Sequence, residues 1–328
     1  MATTNTTTKK NKKMRHLLSA IVIICLVAAL AISLSYVLNK KKAKTTKVSE
    51  SDYHTMTYQG KEYSYNTSLI AILLLGIDYT NETNTQGQSD AIELLLLNRE
   101  KKTIQLLALP RDTMTPIQVT DISGKNLGWT KNHLNLAYAY GTSKEEGCMY
   151  TMQAVSKLLG NVPITKYGSM NIKQIKMLQN VVGTLQVTIP NNSLTFVDHT
   201  WVKGRTITIN SSNVEKFVRT RNTKQNYSAM ARMERQKVYM KAYFMKIKTM
   251  LSTDFNGTIK KMYQVIQQIT TNISYSDMVD FGNMALKYSF DDNSYYTLKG
   301  KSVTTSTYDE FHYDDKALKS LIKTLFYE

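Results

Sequence analysis

The sequence predicts an α/β domain on a mixed central sheet, carried behind one N-terminal membrane-spanning helix. Three observations lead there: a 22-residue charge-free run at 17–38, three short apolar runs ending at turn residues between 70 and 109, and later segments whose apolar positions recur every three or four residues.

The run at 17–38, L-L-S-A-I-V-I-I-C-L-V-A-A-L-A-I-S-L-S-Y-V-L, has neither Pro nor Gly. As a helix it reaches roughly 33 Å, against a hydrocarbon core of about 30 Å. A cleaved signal peptide has an apolar region of about 7–15 residues and a small-x-small site. This run is longer and is followed by K-K-K-A-K, so it reads as an uncleaved anchor. Five basic residues flank each side, so counting positive charges does not orient it. Residues 1–16 are too short for a domain, 39–66 read as a polar tether with an opening strand, and 67–328 are the working domain.

The net charge of +17 belongs mainly to this flank. Residues 1–47 hold ten Lys/Arg and no acid, which leaves 32 basic against 25 acidic residues in the rest. Screening confines a field to about a Debye length, so the total says little about nucleic acid. A hydrophobic fraction of 42% is enough for a core and excludes a disordered chain. Cys25 lies in the anchor and Cys148 is alone in the domain, which excludes an intrachain disulfide and a cysteine-rich metal site there.

Three buried strands follow the tether: I-A-I-L-L-L-G-I-D at 70–78, A-I-E-L-L-L-L-N at 91–98 and T-I-Q-L-L-A-L at 103–109, stopped by Pro110. The compact polar turn N-R-E-K-K makes the last two a hairpin. Three such strands require helices on both faces. Apolar spacing predicts helices over 135–140, 145–159, 171–182, 213–218, 228–251, 258–268, 275–286 and 315–327, with a further strand over 183–190.

Two constellations carry chemistry. Asp78 ends the first strand, Asp90 opens the second and Asp112 follows the third; ligands of open α/β sheets sit beyond strand ends. Antiparallel neighbours bring Asp78 and Asp90 to one edge, either as oxygen ligands of a hard cation or as turn caps. The second is V-R-T-R-N-T-K-Q-N-Y-S-A-M-A-R-M-E-R-Q at 218–236. Arg232, Arg235 and Gln236 can share a helical face, and Arg219 and Arg221 alternate before a polar loop. Guanidinium forks suit phosphate oxygens. Without a wider basic stripe or stacking aromatics, a diphosphate-sized anion fits better than DNA, beside the plain alternative of a solvated face. The five histidines are scattered, and no HExxH, G-x-S-x-G or P-loop occurs.

In order, L-L-L-G-I-D, S-D-A-I, L-P-R-D-T, K-N-H-L-N-L-A-Y-A-Y-G, R-x-R and R-M-E-R-Q behind an anchor resemble the LytR-CpsA-Psr family of bacterial cell-wall proteins over residues 68–245. The resemblance implies a three-layer α/β/α sandwich outside the membrane, a short cytoplasmic tail and a single-pass location in the cell membrane. It implies transfer of a glycopolymer, such as teichoic acid or capsular polysaccharide, from a polyprenyl diphosphate carrier to peptidoglycan, with no nucleic-acid partner. Asp78 and Asp90 match carboxylates near a divalent metal, usually Mg²⁺. Arg111, Arg219, Arg221, Arg232 and Gln236 match the diphosphate site, and Asp90 or Asp112 is the candidate general base. A greasy tunnel between sheet and helices would take the lipid tail. The chain departs from the family at Gln88, where a basic residue is common, and in the acid-free loop after Arg221. Those departures keep a second reading open, a weakened member that binds polyprenyl phosphate or anionic polymer without turnover.

Overall fold

Two short strands, β1 (Thr55–Tyr58) and β2 (Lys61–Ser64), form a hairpin ahead of the first apolar run. Its two-residue turn is Gln59–Gly60, with φ of 51° and 76°, the left-handed pair that a tight hairpin needs. Ser64 donates its N–H to the Glu328 carbonyl at 3.0 Å, so this hairpin is tied to the end of the chain. The opening strand expected within 39–66 is thus this two-stranded hairpin. The structure, a computed structural model, describes residues 54–78, 87–222, 224 and 228–328. The predicted anchor at 17–38 lies outside them, and among the described residues no helix is long and apolar enough to cross a membrane.

The three apolar runs become β3 (Leu69–Ile77), β4 (Ser89–Asn98) and β5 (Thr103–Leu109). They pair antiparallel, with Ile72 opposite Leu95 and Leu95 opposite Leu106. Asn98 makes the predicted hairpin turn by accepting the Glu100 and Lys101 N–H groups at 3.1 and 2.8 Å. Next come an antiparallel hairpin of β6 (Met114–Thr120) and β7 (Asn126–His133), a 3₁₀ turn (Leu134–Ala137) and α1 (Lys144–Leu158). The predicted helix at 135–140 is only this 3₁₀ turn, because Ser143 already caps α1 by accepting the Glu146 N–H. The β6–β7 hairpin was hidden from the apolar pattern because β7 is mostly exposed.

The chain continues through β8 (Lys166–Met170), α2 (Ile172–Val182), β9 (Leu185–Thr188), β10 (Thr206–Ile209), α3 (Val214–Arg219), α4 (Ser228–Thr253) and α5 (Phe255–Ile266). Asp254 separates the last two helices by capping α5 through the Gly257 N–H. The remainder is β11 (Thr270–Thr271), α6 (Tyr275–Lys287), β12 (Tyr295–Thr297), β13 (Gly300–Thr304), β14 (Asp309–Tyr313) and α7 (Asp315–Phe326).

The central sheet runs β11-β8-β3-β4-β5-β12 and is mixed, with β8 parallel to β3 and β12 parallel to β5. Alternation sends Leu73, Leu75, Ile92, Leu94, Leu96 and Leu107 into the core under α1 and α7. The intervening Ile72, Leu97 and Ile104 meet Phe244 of α4 and Phe281 and Met284 of α6 on the opposite face. Helices therefore cover both faces, as the buried strands required. A second core behind α2, α3 and α4 contains Phe217, Trp201 and Tyr239. There Tyr239 donates to Gln179 Oε1 at 2.8 Å, with Gln179 fully buried. Tyr239→Phe should cost about 1–2 kcal/mol in urea unfolding, because the Gln179 carbonyl would lose its donor.

One register change positions the site. Gly76 faces Ala91 but Ile77 faces Ser89, so Asp90 is the extra residue of a bulge. Strict alternation would put Asp90 and Glu93 on opposite faces. The bulge turns Asp90 onto the α4 side, which also carries Glu93.

Candidate active site

The sheet edge holding the Ile77/Ser89 pair collects residues from four parts of the chain. Asp78 follows β3, where its Oδ1 accepts the Gln88 N–H at 2.8 Å and so closes the connection to β4. That is the turn-capping role, and the residue still lines a cleft of ≈ 370 Å³ empty volume shared with Asp90, Arg219, Arg232 and Gln236. The two carboxylates are brought to the same edge, as antiparallel pairing of β3 and β4 demands.

Asp90 is the hub. Arg232 of α4 donates from Nη1 to Asp90 Oδ2 and from Nη2 to the Asp90 carbonyl, both at 2.9 Å, and Arg111 Nη1 bonds the other carboxylate oxygen. Burial by itself would raise the Asp90 pKa, but the Arg232 and Arg111 charges outweigh it and hold the group below the usual carboxylate range. Arg111 sits in a tight P-R-D-T turn, in which Thr113 N–H bonds the Pro110 carbonyl at 3.1 Å, and its Nε donates to Asp112 at 3.0 Å. Burial opposes its charge, yet Asp90 and Asp112 raise the Arg111 pKa overall. For Arg232, 3% exposed, burial wins and lowers it.

The arginines of 218–236 divide into two kinds. Arg219 ends α3, donates to Glu215 at 3.1 Å and to the Asp78 carbonyl at 3.3 Å, and faces the cleft half-exposed. Arg221 bonds Ser228 Oγ at 3.2 Å and lies near enough to Arg232 to oppose its charge. Arg235, placed with Arg232 and Gln236 by helical spacing, instead points inward and is fully buried. It donates to the carbonyls of Phe217, at 2.8 Å, and Thr220, and to the Ser193 hydroxyl. Burial and the Arg232 charge push it down to about 10, still protonated at neutral pH. Gln236 lines the cleft, but its amide donates to the Val218 carbonyl at 3.1 Å. Arg235 and Gln236 thus tie the end of α3 to α4 and set where Arg219 points.

Two residues escaped sequence reasoning. Asn135, inside K-N-H-L-N-L-A-Y-A-Y-G, donates from Nδ2 to Gln88 Oε1 at 2.9 Å and from its backbone to the Arg111 carbonyl at 3.0 Å. It fastens the Gln88 and Arg111 segments together, and the motif was the available signal. Glu93 lines a narrower slot of ≈ 260 Å³ empty volume between β4, β5 and α4, which shares Asp90, Arg111, Arg232 and Gln236 with the site. It lies within an apolar run, and burial pushes its carboxyl up to about 7.

Among the described residues no group of three or more His, Cys, Asp or Glu side chains could hold a metal. The donor set still suits Mg²⁺ in its commonest protein setting, where one or two carboxylates suffice and substrate phosphates and water complete the octahedron. Asp78 and Asp90 on one cleft meet that requirement. Arg219 and Arg232 line the same cleft, and Arg111 joins them through Asp90, a grouping that suits an anion with several phosphate oxygens.

The family model described as the LytR_cpsA_psr family matches residues 32–326. A Bacillus cereus protein named polyisoprenyl-teichoic acid--peptidoglycan teichoic acid transferase TagU is 31% identical over 213 residues, which cover 64% of this chain and 62% of that protein. The match thus spans a little under two thirds of the relative's length. Bacillus subtilis TagV superposes with a TM-score of 0.61 at 21% identity, covering 79% of this chain and 96% of TagV. A structure of TagT bound to LI-WTA gives 0.59 at 21% identity, covering 83% and 95%. At such identities the structural likeness shows the fold alone. The family match, which runs through most of the chain, and the ordered motifs that the fold gathers around Asp90 together make this chain a member of the LytR_cpsA_psr family.

Proposed function

We propose that the chain is a membrane-anchored transferase that moves an anionic glycopolymer of the teichoic acid kind from a polyprenyl diphosphate carrier to peptidoglycan. The observation that carries this is the Asp90 hub: two guanidinium groups locked on one carboxylate, with Arg219 on the adjoining cleft. The diphosphate of a carrier lipid offers the phosphate oxygens that such guanidinium groups bind. The names of the relatives support the same substrates, TagU for polyisoprenyl-linked teichoic acid and TagT for its bound LI-WTA. In this reading the helices on both sheet faces make a three-layer sandwich, and residues 17–38 hold it in the membrane.

Arg111, Arg219, Arg221 and Arg232 would hold the diphosphate oxygens. Arg111 and Arg232 are already oriented by Asp90, so little ordering is left to substrate binding. Asp78 and Asp90 would hold Mg²⁺ or another divalent cation, which when bound supplies further positive charge to the phosphoanhydride. The acceptor hydroxyl forms the new bond to phosphorus, the phosphoanhydride bond breaks, and polyprenyl phosphate leaves with its charge stabilised by the arginines. Asp90, held below its usual range, is a poor proton acceptor and works better as the anchor of the clamp. Asp112 is then the candidate base for the acceptor's proton.

The test is incubation of the full chain with a polyprenyl diphosphate-linked polymer, peptidoglycan and Mg²⁺, reading linked product. Arg219→Ala should lower the rate about 10–100-fold, the value of one or two charged hydrogen bonds, and shift stability by under about 0.5 kcal/mol because its pair with Glu215 is exposed. Chelation should abolish transfer. Lipid bound without product in the wild type would replace this reading with the non-catalytic binder, which the uncharged Gln88 at the site favours.

A further inference from the structure

The β6–β7 hairpin ends in apolar side chains that the fold holds out to solvent. Asp121 Oδ1 accepts the Ser123 and Lys125 N–H groups, both at 2.9 Å, and the Ser123 hydroxyl at 2.6 Å. The Gly124 N–H bonds the Asp121 carbonyl at 3.0 Å, with Gly124 at a φ of 83° that favours glycine. The tip is therefore a closed turn, and it leaves Ile122 fully exposed. Beside it, Val119 faces Gly128 but Thr120 faces Asn126, so Leu127 is the extra residue of a bulge and stands out of the ladder at 61% exposure. Trp129 is 44% exposed, with Lys157 Nζ of α1 4.9 Å from its ring centroid. Three large apolar groups gathered on one ordered hairpin end mark an interaction site.

We propose that this hairpin end is an interfacial lipid contact: Ile122, Leu127 and Trp129 enter the boundary between headgroups and acyl chains of a bilayer that carries anionic phospholipid, and Lys125, Lys131 and Lys157 meet the headgroups. The inference rests on the transferase reading for the presence of a bilayer beside the domain.

Charge and area choose the occupant. Lys125, Lys131 and Lys157 are all exposed, and strand alternation puts Lys131 on the same face of β7 as Trp129. Asp121, the one acid of residues 120–133, has its carboxylate occupied by the turn. Exposed aliphatic side chains, an indole and flanking lysines are the composition of segments that lie in a membrane interface, where lysine stems follow apolar surface and their charges reach anionic headgroups. A second copy of this chain is a poor occupant, since three partly exposed side chains fall short of the roughly 800 Å² per partner that a stable protein interface buries.

The experiment places the full chain in phosphatidylglycerol vesicles with plain or brominated acyl chains and reads tryptophan fluorescence. The chain has two tryptophans, and Trp201 is buried in the second core, so the Trp129 signal is that of wild type minus that of Trp129→Phe. Trp129 emission should shift to shorter wavelength and lose about half its intensity in the brominated lipid, as for a ring about 5–10 Å into the boundary. Replacing Ile122 and Leu127 together by Ser should restore most of that intensity, and brominated phosphatidylcholine, with no net headgroup charge, should quench less. Equal Trp129 emission in plain and brominated phosphatidylglycerol overturns the inference, as does quenching that survives the double Ser variant. Emission that answers soluble peptidoglycan fragments and not bromine overturns it in favour of a glycan platform. Transfer measured in the same vesicles keeps the two readings apart: transfer without quenching sinks the lipid contact alone, and quenching without transfer sinks the transferase alone.

Discussion

Arg232→Ala should lower transfer by about 10²–10³-fold and destabilise the fold. Arg232 is 3% exposed and spends two nitrogens on Asp90, one on the carboxylate and one on the backbone carbonyl. Its removal takes away the cation that, with Arg111, keeps a mostly buried carboxylate ionised. Breaking one side of a buried ion pair costs about 3–5 kcal/mol, and the remaining Arg111 pair puts the expected loss near the lower end, at about 3 kcal/mol. For catalysis, losing a preoriented donor to developing phosphate charge lowers kcat by about 10²–10³. Arg232→Lys separates the two effects, because it keeps the charge but not the fork. It should recover much of the stability in denaturant unfolding and little of the transfer. Transfer within tenfold of wild type in a folded Arg232→Ala protein would remove Arg232 from the diphosphate site.

Glu93→Leu should stabilise the protein, and by more as pH rises. The folded state holds the Glu93 proton up to about 7, whereas the unfolded chain releases it near 4.5. Between those values the native state binds more protons than the unfolded state, so ionisation of Glu93 lowers stability as pH rises through the window and has no further effect above it. The accumulated penalty is about 3 kcal/mol. A leucine side chain at this position carries no such penalty, so the gain over wild type at pH 8 should exceed the gain at pH 4.5 by about that amount in urea unfolding. An equal gain at both pH values would mean that Glu93 ionises in the fold as it does in water. A stabilising substitution beside an active site is expected where a costly group is retained for function.

Much of the sheet and half of the site were readable in one dimension. The runs at 70–78, 91–98 and 103–109 were unmistakable because strands buried on both faces need continuous apolar sequence. The Asn98 turn fixed antiparallel pairing of the last two. The edge positions of Asp78 and Asp90 followed from strand ends and direction. The exposed β7 gave no such signal, and β1 and β2 were legible only as one opening strand, since the stability of these strands comes from cross-strand and tertiary contacts.

Strand ends, helical period and residue chemistry already identified which side chains have the charge and reach to bind a diphosphate, and they put Asp78, Asp90 and the arginines on the same list. They could not sort that list. Helical spacing treats Arg232 and Arg235 as near equals, but packing of α4 aims one at Asp90 and buries the other among the carbonyls of α3 and the segment after it. Likewise Glu93 reads as one polar letter in an apolar strand until the bulge at Asp90 and the closure of α4 over β4 place both carboxyls on one face with opposite fates. Chain-local pattern records what each residue can do. Which partner it meets, and how much water is left around it, depends on segments more than a hundred residues apart being pressed together, and those contacts decide the charge states.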